Sequence, residues 1–300
     1  MSQAPATQPI VRRAAAGDLS AIYAIWYANE VRGDPRPPPH GSTALLHHEL
    51  ATAEVCVAEL DGQVAGFAAT VTRGPVVFLS ECFVRAEYQS RGVGRALVRR
   101  LLADDGRVRC TLGSRDPRAL ALYIRAGLRP QWPNFCLLAE PARVDQLPAD
   151  TVAVAEARAG DPALVEWDAA VGGRRRPADL AYLVEQSAAT PLWFMRGGRP
   201  IGYGYAQRRA PEDLWHPDAL TLGPIGARDP ADALACVAAA ARWAGQRAAV
   251  LRITVPGPHP ALAALLAAGF QITYVEEFLC SAGPPFMDPA RYLPASSTLF

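Results

Sequence analysis

Residues 78–102 place a strand, a short glycine-bearing turn and a helix in immediate succession, which limits what the rest of the chain can build around them. Val76, Val77, Phe78 and Leu79, then Cys82, Phe83 and Val84, form an apolar, aromatic and β-branched run of strand character. After Gly94, the residues Ala96, Leu97, Leu101 and Leu102 return at helical spacing. The turn between them reads Gln89-Ser90-Arg91-Gly92-Val93-Gly94-Arg95. Glycines here allow backbone angles and close approaches that a β-carbon blocks, so successive N–H groups can converge on an anion. The first turn of the following helix adds unpaired N–H groups and a positive dipole end. The stretch therefore reads as a cradle for a pyrophosphate.

At 300 residues the chain exceeds a usual single domain and predicts two. With 30 basic against 29 acidic side chains, the net charge offers no footprint for nucleic acid or an anionic membrane. The run Arg174-Arg175-Arg176, set among Gly and Pro, is expected to be a solvated loop. Cys56, Cys82, Cys110, Cys136, Cys236 and Cys280 are scattered without zinc-type spacing and read as buried thiols in a reducing compartment. His47 and His48 lack a third ligand and read as surface or edge residues, so no metal is expected. The N-terminus shows no signal pattern and no apolar segment reaches membrane-spanning length, giving a cytoplasmic expectation.

Along the chain, a loose tail over residues 1–9 precedes a strand at Ile10–Arg13 and a helix through Ile22, Tyr23, Ile25, Trp26 and Tyr27 behind Asp18. The proline-rich segment 33–41 is either a stiff connector or a substrate wall. Ser42 caps a second helix through Leu45, Leu46 and Leu50, and the two runs around Asp61-Gly62 form a hairpin. A strand over 107–113 leads to a helix with Asp116 and Pro117 at its start and Gly127 as its stop, and the strand 134–139 closes this half. Residues 141–150 read as a linker.

Residues 151–282 repeat this order in weakened form. A strand at 152–157, helical material at 167–187, a hairpin about Gly197-Gly198, a strand at 219–222, a helix at 231–244, a strand at 250–255 and a helix ending at Gly269 follow one another. The predicted architecture is an α/β fold with a mixed sheet in two tandem lobes, residues 1–140 and 151–282. A tail over 283–300 either straps the lobes together or moves freely.

The segment Gln89-x-x-Gly92-x-Gly94, five residues past Val84, resembles the acyl-CoA loop of the GCN5-related N-acetyltransferases. Asp116-x-x-Ala119-x-x-x-Tyr123-x-x-x-Gly127 resembles a later segment of the same family, which has Asn in place of Asp116. The likeness covers residues 10–140 well and 151–282 in outline. It implies a tandem member of the superfamily that forms a pseudo-dimer and moves an acetyl group from acetyl-CoA to a small-molecule or peptide amine, as a monomer or a homodimer, without metal, nucleic acid or membrane. It assigns cofactor contacts to Gln89, Ser90, Arg91, Gly92, Val93, Gly94 and Arg95, to the backbone of Cys82, Phe83 and Val84, and to Asp116, whose carboxylate cannot donate as an amide does. Tyr123 matches the residue that protonates the departing thiolate; the alternative is an aromatic packed beside Leu120 and Ile124. Glu81 matches an acidic position that meets the amine, attracting or deprotonating it; the alternative is a surface or salt-bridged Glu. A base on the next strand does not transfer, since Thr111 stands there, and a water chain to Glu30, Glu59 or a histidine is the remaining route.

In the second lobe the turn reads Gly226-Ala227-Arg228-Asp229-Pro230-Ala231-Asp232 and Leu265 stands where Tyr123 does in the first. Asp229 at the helix start would repel pyrophosphate, so this lobe is expected to be structural or a substrate wall. An acyl-CoA-binding regulator without catalysis and an inactive interaction scaffold are the competing readings.

Overall fold

The computed structural model describes residues 8–209, 214, 216, 218–283, 285–296 and 298–300. The expected loose tail lies mostly outside these residues. The first half contains β1 (Ile10–Arg13), α1 (Leu19–Glu30), α2 (Ala44–Thr52), β2 (Glu54–Leu60), β3 (Gln63–Arg73), β4 (Val76–Val84), α3 (Val93–Leu101), β5 (Val108–Ser114), α4 (Pro117–Arg125) and β6 (Arg129–Ala139). The second contains β7 (Ala153–Glu156), α5 (Pro162–Gly172), α6 (Pro177–Glu185), β8 (Thr190–Arg196), β9 (Arg199–Gln207), β10 (Ala219–Ala227), α7 (Ala233–Gly245), β11 (Val250–Pro256), α8 (Ala261–Ala267), β12 (Gln271–Cys280) and β13 (Tyr292–Leu293). The duplicated order read from the sequence is thus present, as two lobes of a mixed α/β fold.

The local reasons are visible in the turns and caps. Asp61 and Gly62 both hold positive φ, the geometry that a two-residue hairpin between twisted strands requires. Asp116 accepts from the Arg118 N–H at 2.8 Å with Pro117 at the first helical position, so α4 begins where the sequence predicted. Asp18 acts differently: it binds the Ala15 N–H and Arg12, and does not cap α1 through its side chain.

The sheet departs from the simple two-lobe expectation. It is one thirteen-stranded sheet in the order β1-β2-β3-β4-β5-β12-β6-β11-β10-β9-β8-β7, with β13 added on β10. The last strand of each half has crossed to the other. β12 pairs with β5 (Phe278 opposite Leu112), and β6 pairs with β11 (Leu137 opposite Ile253), while β6 and β12 pair with each other. The strand over 134–139 therefore does not close its own half, because an alternating strand pattern fixes which face is buried and leaves the partner open. The segment 141–150 also packs, burying Val144 and Leu147 against α7.

Four apolar clusters cover the faces. Ile22, Ile25, Trp26, Leu46 and Phe67 lie under α1 and α2, and Leu97, Val98, Leu101 and Tyr123 lie under α3 and α4. Alanines and Cys236 line the sheet side of α7. The fourth cluster joins both halves: Phe300 stacks on Phe78 and Phe278 with ring centroids 5.2 and 5.0 Å apart. Arg174 lies over Phe300, and Arg176 is 1% exposed. The expected solvated loop is thus buried at two of its three arginines, because Asp168 and the tail supply partners that no local pattern announces. Among the described residues no helix is long and apolar enough to cross a membrane, and no cluster of His, Cys, Asp and Glu could hold a metal.

Candidate active site

β4 and β5 run parallel from Val76 opposite Val108 to Leu79 opposite Thr111, where the pairing ends. The Thr111 hydroxyl donates to the Leu79 carbonyl at 2.8 Å and closes the fork at its base. Beyond it, Cys82, Phe83 and Val84 still pair with β3 on one edge, leaving their other edge turned toward the gap. On the β3 side the register jumps from Ala69 opposite Glu81 to Thr70 opposite Leu79, so Ser80 is the extra residue of a bulge. Bulges re-aim side chains and free ladder groups. A cavity of about 1300 Å³ runs through this fork.

At one end of the cavity lies the glycine turn. Gly92, at φ +86°, is the N-cap of α3 and brings no side chain to satisfy the helix start, so the first-turn N–H groups of Val93, Gly94 and Arg95 have no intrahelical acceptor. Ser90 also holds positive φ. Gln89 fixes the turn, donating to the Val84 carbonyl and accepting from Arg118 and Arg32 at 3.1 and 3.3 Å. Gln89, Ser90, Gly92, Val93, Gly94 and Arg95 line the cavity, and so do Arg32, Arg99, Arg118 and Arg125, which the sequence reading missed. Their successive gaps of 67, 19 and 7 residues carry no local signal. Arg91 is not brought in: its guanidinium pairs with Asp61 at 2.8 Å and stacks over Tyr88. An open helix start with cationic side chains about it fits a pyrophosphate, so these residues could hold the diphosphate of coenzyme A.

In the fork, Tyr123 is buried against Gly113 and hydrogen-bonds Cys82. Burial, with the Cys82 and Glu81 charges adding, holds its phenol well above the ordinary value, so it stays a neutral O–H donor. Burial likewise pushes the Cys82 thiol up to about 12. Glu81 lines the cavity at 4% exposure. Asp116 lies at its rim; the Arg118 guanidinium, 2.7 Å away, holds the carboxyl below the usual range, so it accepts and does not donate. The structure thus gathers Tyr123, Glu81, the β4 edge and the turn into one space.

Two further features were not legible. Glu49 of α2 is 1% exposed and accepts from Ser80 Oγ at 2.5 Å. Burial raises its carboxyl to about 7, Asp179 adding to the effect and the Ser80 hydrogen bond opposing it. The wall opposite the first lobe is built by the other half, including Arg252 of β11 and Thr273, Tyr274 and Glu276 of the exchanged strand β12.

Among the described residues of the second lobe, the corresponding helix start and fork are occupied. Asp229 accepts from the Ala231 N–H at 2.9 Å and caps the 3-10 turn Pro230–Asp232 that leads into α7. Past Leu222 opposite Ile253, where β10 and β11 part, β13 of the tail is hydrogen-bonded to β10, with Ile225 opposite Leu293 and Gly226 opposite Tyr292. The approach is close: a β-carbon on Gly223 would stand 2.3 Å from the Pro294 carbonyl oxygen. The tail thus fills the place in lobe two that stands open in lobe one, which the sequence left undecided between strap and free segment.

A mixed sheet forked over a bare helix start, with an uncharged phenol in the fork, is the layout that the resemblance to the acyl-CoA loop implies. Residues 19–128, most of the first lobe, match the model of the Acetyltransferase (GNAT) family. Solved structures agree in fold. A provisionally assigned acetyltransferase from Pyrococcus horikoshii superposes with a TM-score of 0.72 at 17% identity, over 97% of this chain and 96% of that one. A tandem GNAT protein from the clavulanic acid biosynthesis pathway gives 0.62 at 16% identity, over 93% and 99% of the two chains. A GCN5-related N-acetyltransferase from Sphaerobacter thermophilus gives 0.60 at 16%, over 97% and 98%. None of the curated protein sequences matches the chain.

Proposed function

We propose that the chain transfers the acetyl group of acetyl-CoA to a primary amine by direct attack in a ternary complex, using one site in the first lobe. The observation that carries this is the continuity of the cavity from the Gly92 helix start, along the open edge of Cys82–Val84, to Tyr123 and Glu81. The turn holds the diphosphate through its N–H groups, and the β4 edge takes the pantetheine arm as an added strand would lie. Fixing the thioester in this way converts a bimolecular encounter into an oriented one. N–H groups beside the Ser80 bulge polarise the thioester carbonyl as it gains charge. Glu81 draws the ammonium into the fork, and Tyr123 gives its proton to the sulfur as the C–S bond breaks.

The second lobe serves as support and as a wall of the acceptor space. The test is to incubate the protein with acetyl-CoA and a panel of amines (tyramine, spermidine, lysine, glucosamine and an alanine-initiated peptide), following thiol release and product mass. Amine-dependent thiol release with a matching acetylated product supports the reading. Tight acetyl-CoA binding with no transfer to any amine refutes it and favours a sensor.

A further inference from the structure

For attack, an amine that enters as an ammonium must first lose a proton, and the residues placed so far do not receive it. We propose that Glu49 of α2 takes this proton through the hydroxyl of Ser80, which makes Ser80 the relay and Glu49 the positioning base behind it; the inference rests on the acetyl transfer proposed above.

Ser80 is the bulge residue of β4 and lines the cavity at the fork, where the amine must approach the thioester. Its Oγ–H donates to Glu49 Oε1 at 2.5 Å, so the hydroxyl's lone pairs are free of that bond. A hydroxyl that donates to a base and can accept from a substrate is the geometry of a one-step relay. Glu49 itself has no route to solvent at 1% exposure, and its Oε2 has no hydrogen-bond partner among the described residues. A carboxylate kept for structure alone is expected to be fully bonded, since a half-satisfied buried carboxylate is costly.

The surroundings explain why Glu49 is the group that titrates. Asp179 of α6 lies beside it and is committed elsewhere, to Arg73 of β3 at 2.5 and 2.8 Å and to His48 of α2 at 3.0 Å. Those partners hold Asp179 ionised although it is buried, and its charge resists a second one on Glu49. Glu81 of β4 stands beyond Ser80 in the cavity. The sides of α1 and β2 that meet α2 contribute apolar groups, Ile22, Trp26, Val55 and Val57, with Tyr23 as the titratable neighbour. Burial with Asp179 nearby places the Glu49 carboxyl at about 7, where it can both take and return a proton near neutrality.

The step balances as follows. One ammonium proton passes to Ser80 Oγ while the Ser80 proton passes to Glu49 Oε1. The freed nitrogen lone pair forms the C–N bond and the C–S pair leaves on sulfur. The second proton lost from nitrogen passes to the tyrosinate left when Tyr123 protonates the thiolate, which restores the phenol. Glu49 returns its proton to water through Ser80 once the product has left.

The experiment compares pH profiles of kcat/KM, using acetyl-CoA and whichever panel amine the wild-type protein acetylates fastest. Wild type should lose activity as pH falls through about 7. Glu49→Gln keeps an oxygen for Ser80 and should lower turnover about 100-fold and abolish that limb, with acetyl-CoA affinity by calorimetry unchanged. Ser80→Ala, at a part-exposed position, should do the same and carries the test if Glu49→Gln does not fold; Ser80→Thr should restore the limb. Either loss-of-relay variant turning over at the wild-type rate with the limb intact overturns the proposal. Wild-type protein that acetylates no amine overturns instead the transfer reading beneath it.

Discussion

Replacing Arg176 with Met should cost the protein about 3–5 kcal/mol, the range for removing one partner of a buried ion pair. Arg176 and Asp168 are 1% and 0% exposed and joined by two 2.8 Å hydrogen bonds. Arg176 also donates to the Tyr292 hydroxyl at 2.7 Å and to the carbonyls of Leu299 and Phe300 at 3.2 and 2.7 Å. The substitution would leave Asp168 in the interior with only the Tyr203 hydroxyl, at 2.8 Å, donating to it among the described residues, and would take from the tail its principal donor. The loss should shift the urea midpoint of unfolding without changing the slope, and lower Tm by roughly 10 °C at about 2–4 °C per kcal/mol. Asp168→Leu together with Arg176→Met should cost much less than the two single changes added, because no charge is then stranded. A single-variant loss below about 1 kcal/mol, the worth of an exposed pair, would refute the view that this cluster clamps the tail to the second lobe.

Calorimetry should give one coenzyme A per chain, because β13 and Asp229 occupy the second lobe's fork and helix start; two equivalent sites would contradict this. Tyr123→Phe should lower kcat severalfold or more with acetyl-CoA affinity retained, and unchanged turnover would remove Tyr123 from the chemistry. Stability should also respond to Glu49. Its folded pKa of about 7 stands above the ordinary 4.5, so the protonated form stabilises the fold below about 4.5 and that contribution is lost as pH rises through 7. The change amounts to about 3 kcal/mol over this window. Thermal melts of Glu49→Gln should lack this decline, and an equal slope in both proteins would show that Glu49 does not titrate there.

The parts legible in the sequence are those whose chemistry is written in neighbouring residues. The Gly92–Gly94 turn, the Asp61-Gly62 hairpin and the Asp116-Pro117 start of α4 are local devices, and each forms where its residues stand. Glu49 was hidden because it follows His47 and His48 in a polar stretch of α2; α6 half-buries His48 and the Ser80 bulge meets the buried Glu49, while His47 stays exposed. The same holds for Arg174 and Arg176, polar by composition and buried by distant partners.

The sequence by itself determined the duplicated order of elements, the bare helix start at Gly92 and the position of Tyr123 on α4, since glycine φ, helix caps and apolar periodicity act over a few residues. Tertiary structure alone decided that β6 and β12 exchange lobes, that β13 fills the second fork, and that the cavity is walled by both halves. Strand pairing and burial are contests among all the surfaces a chain presents, and their outcome is not written in any one segment.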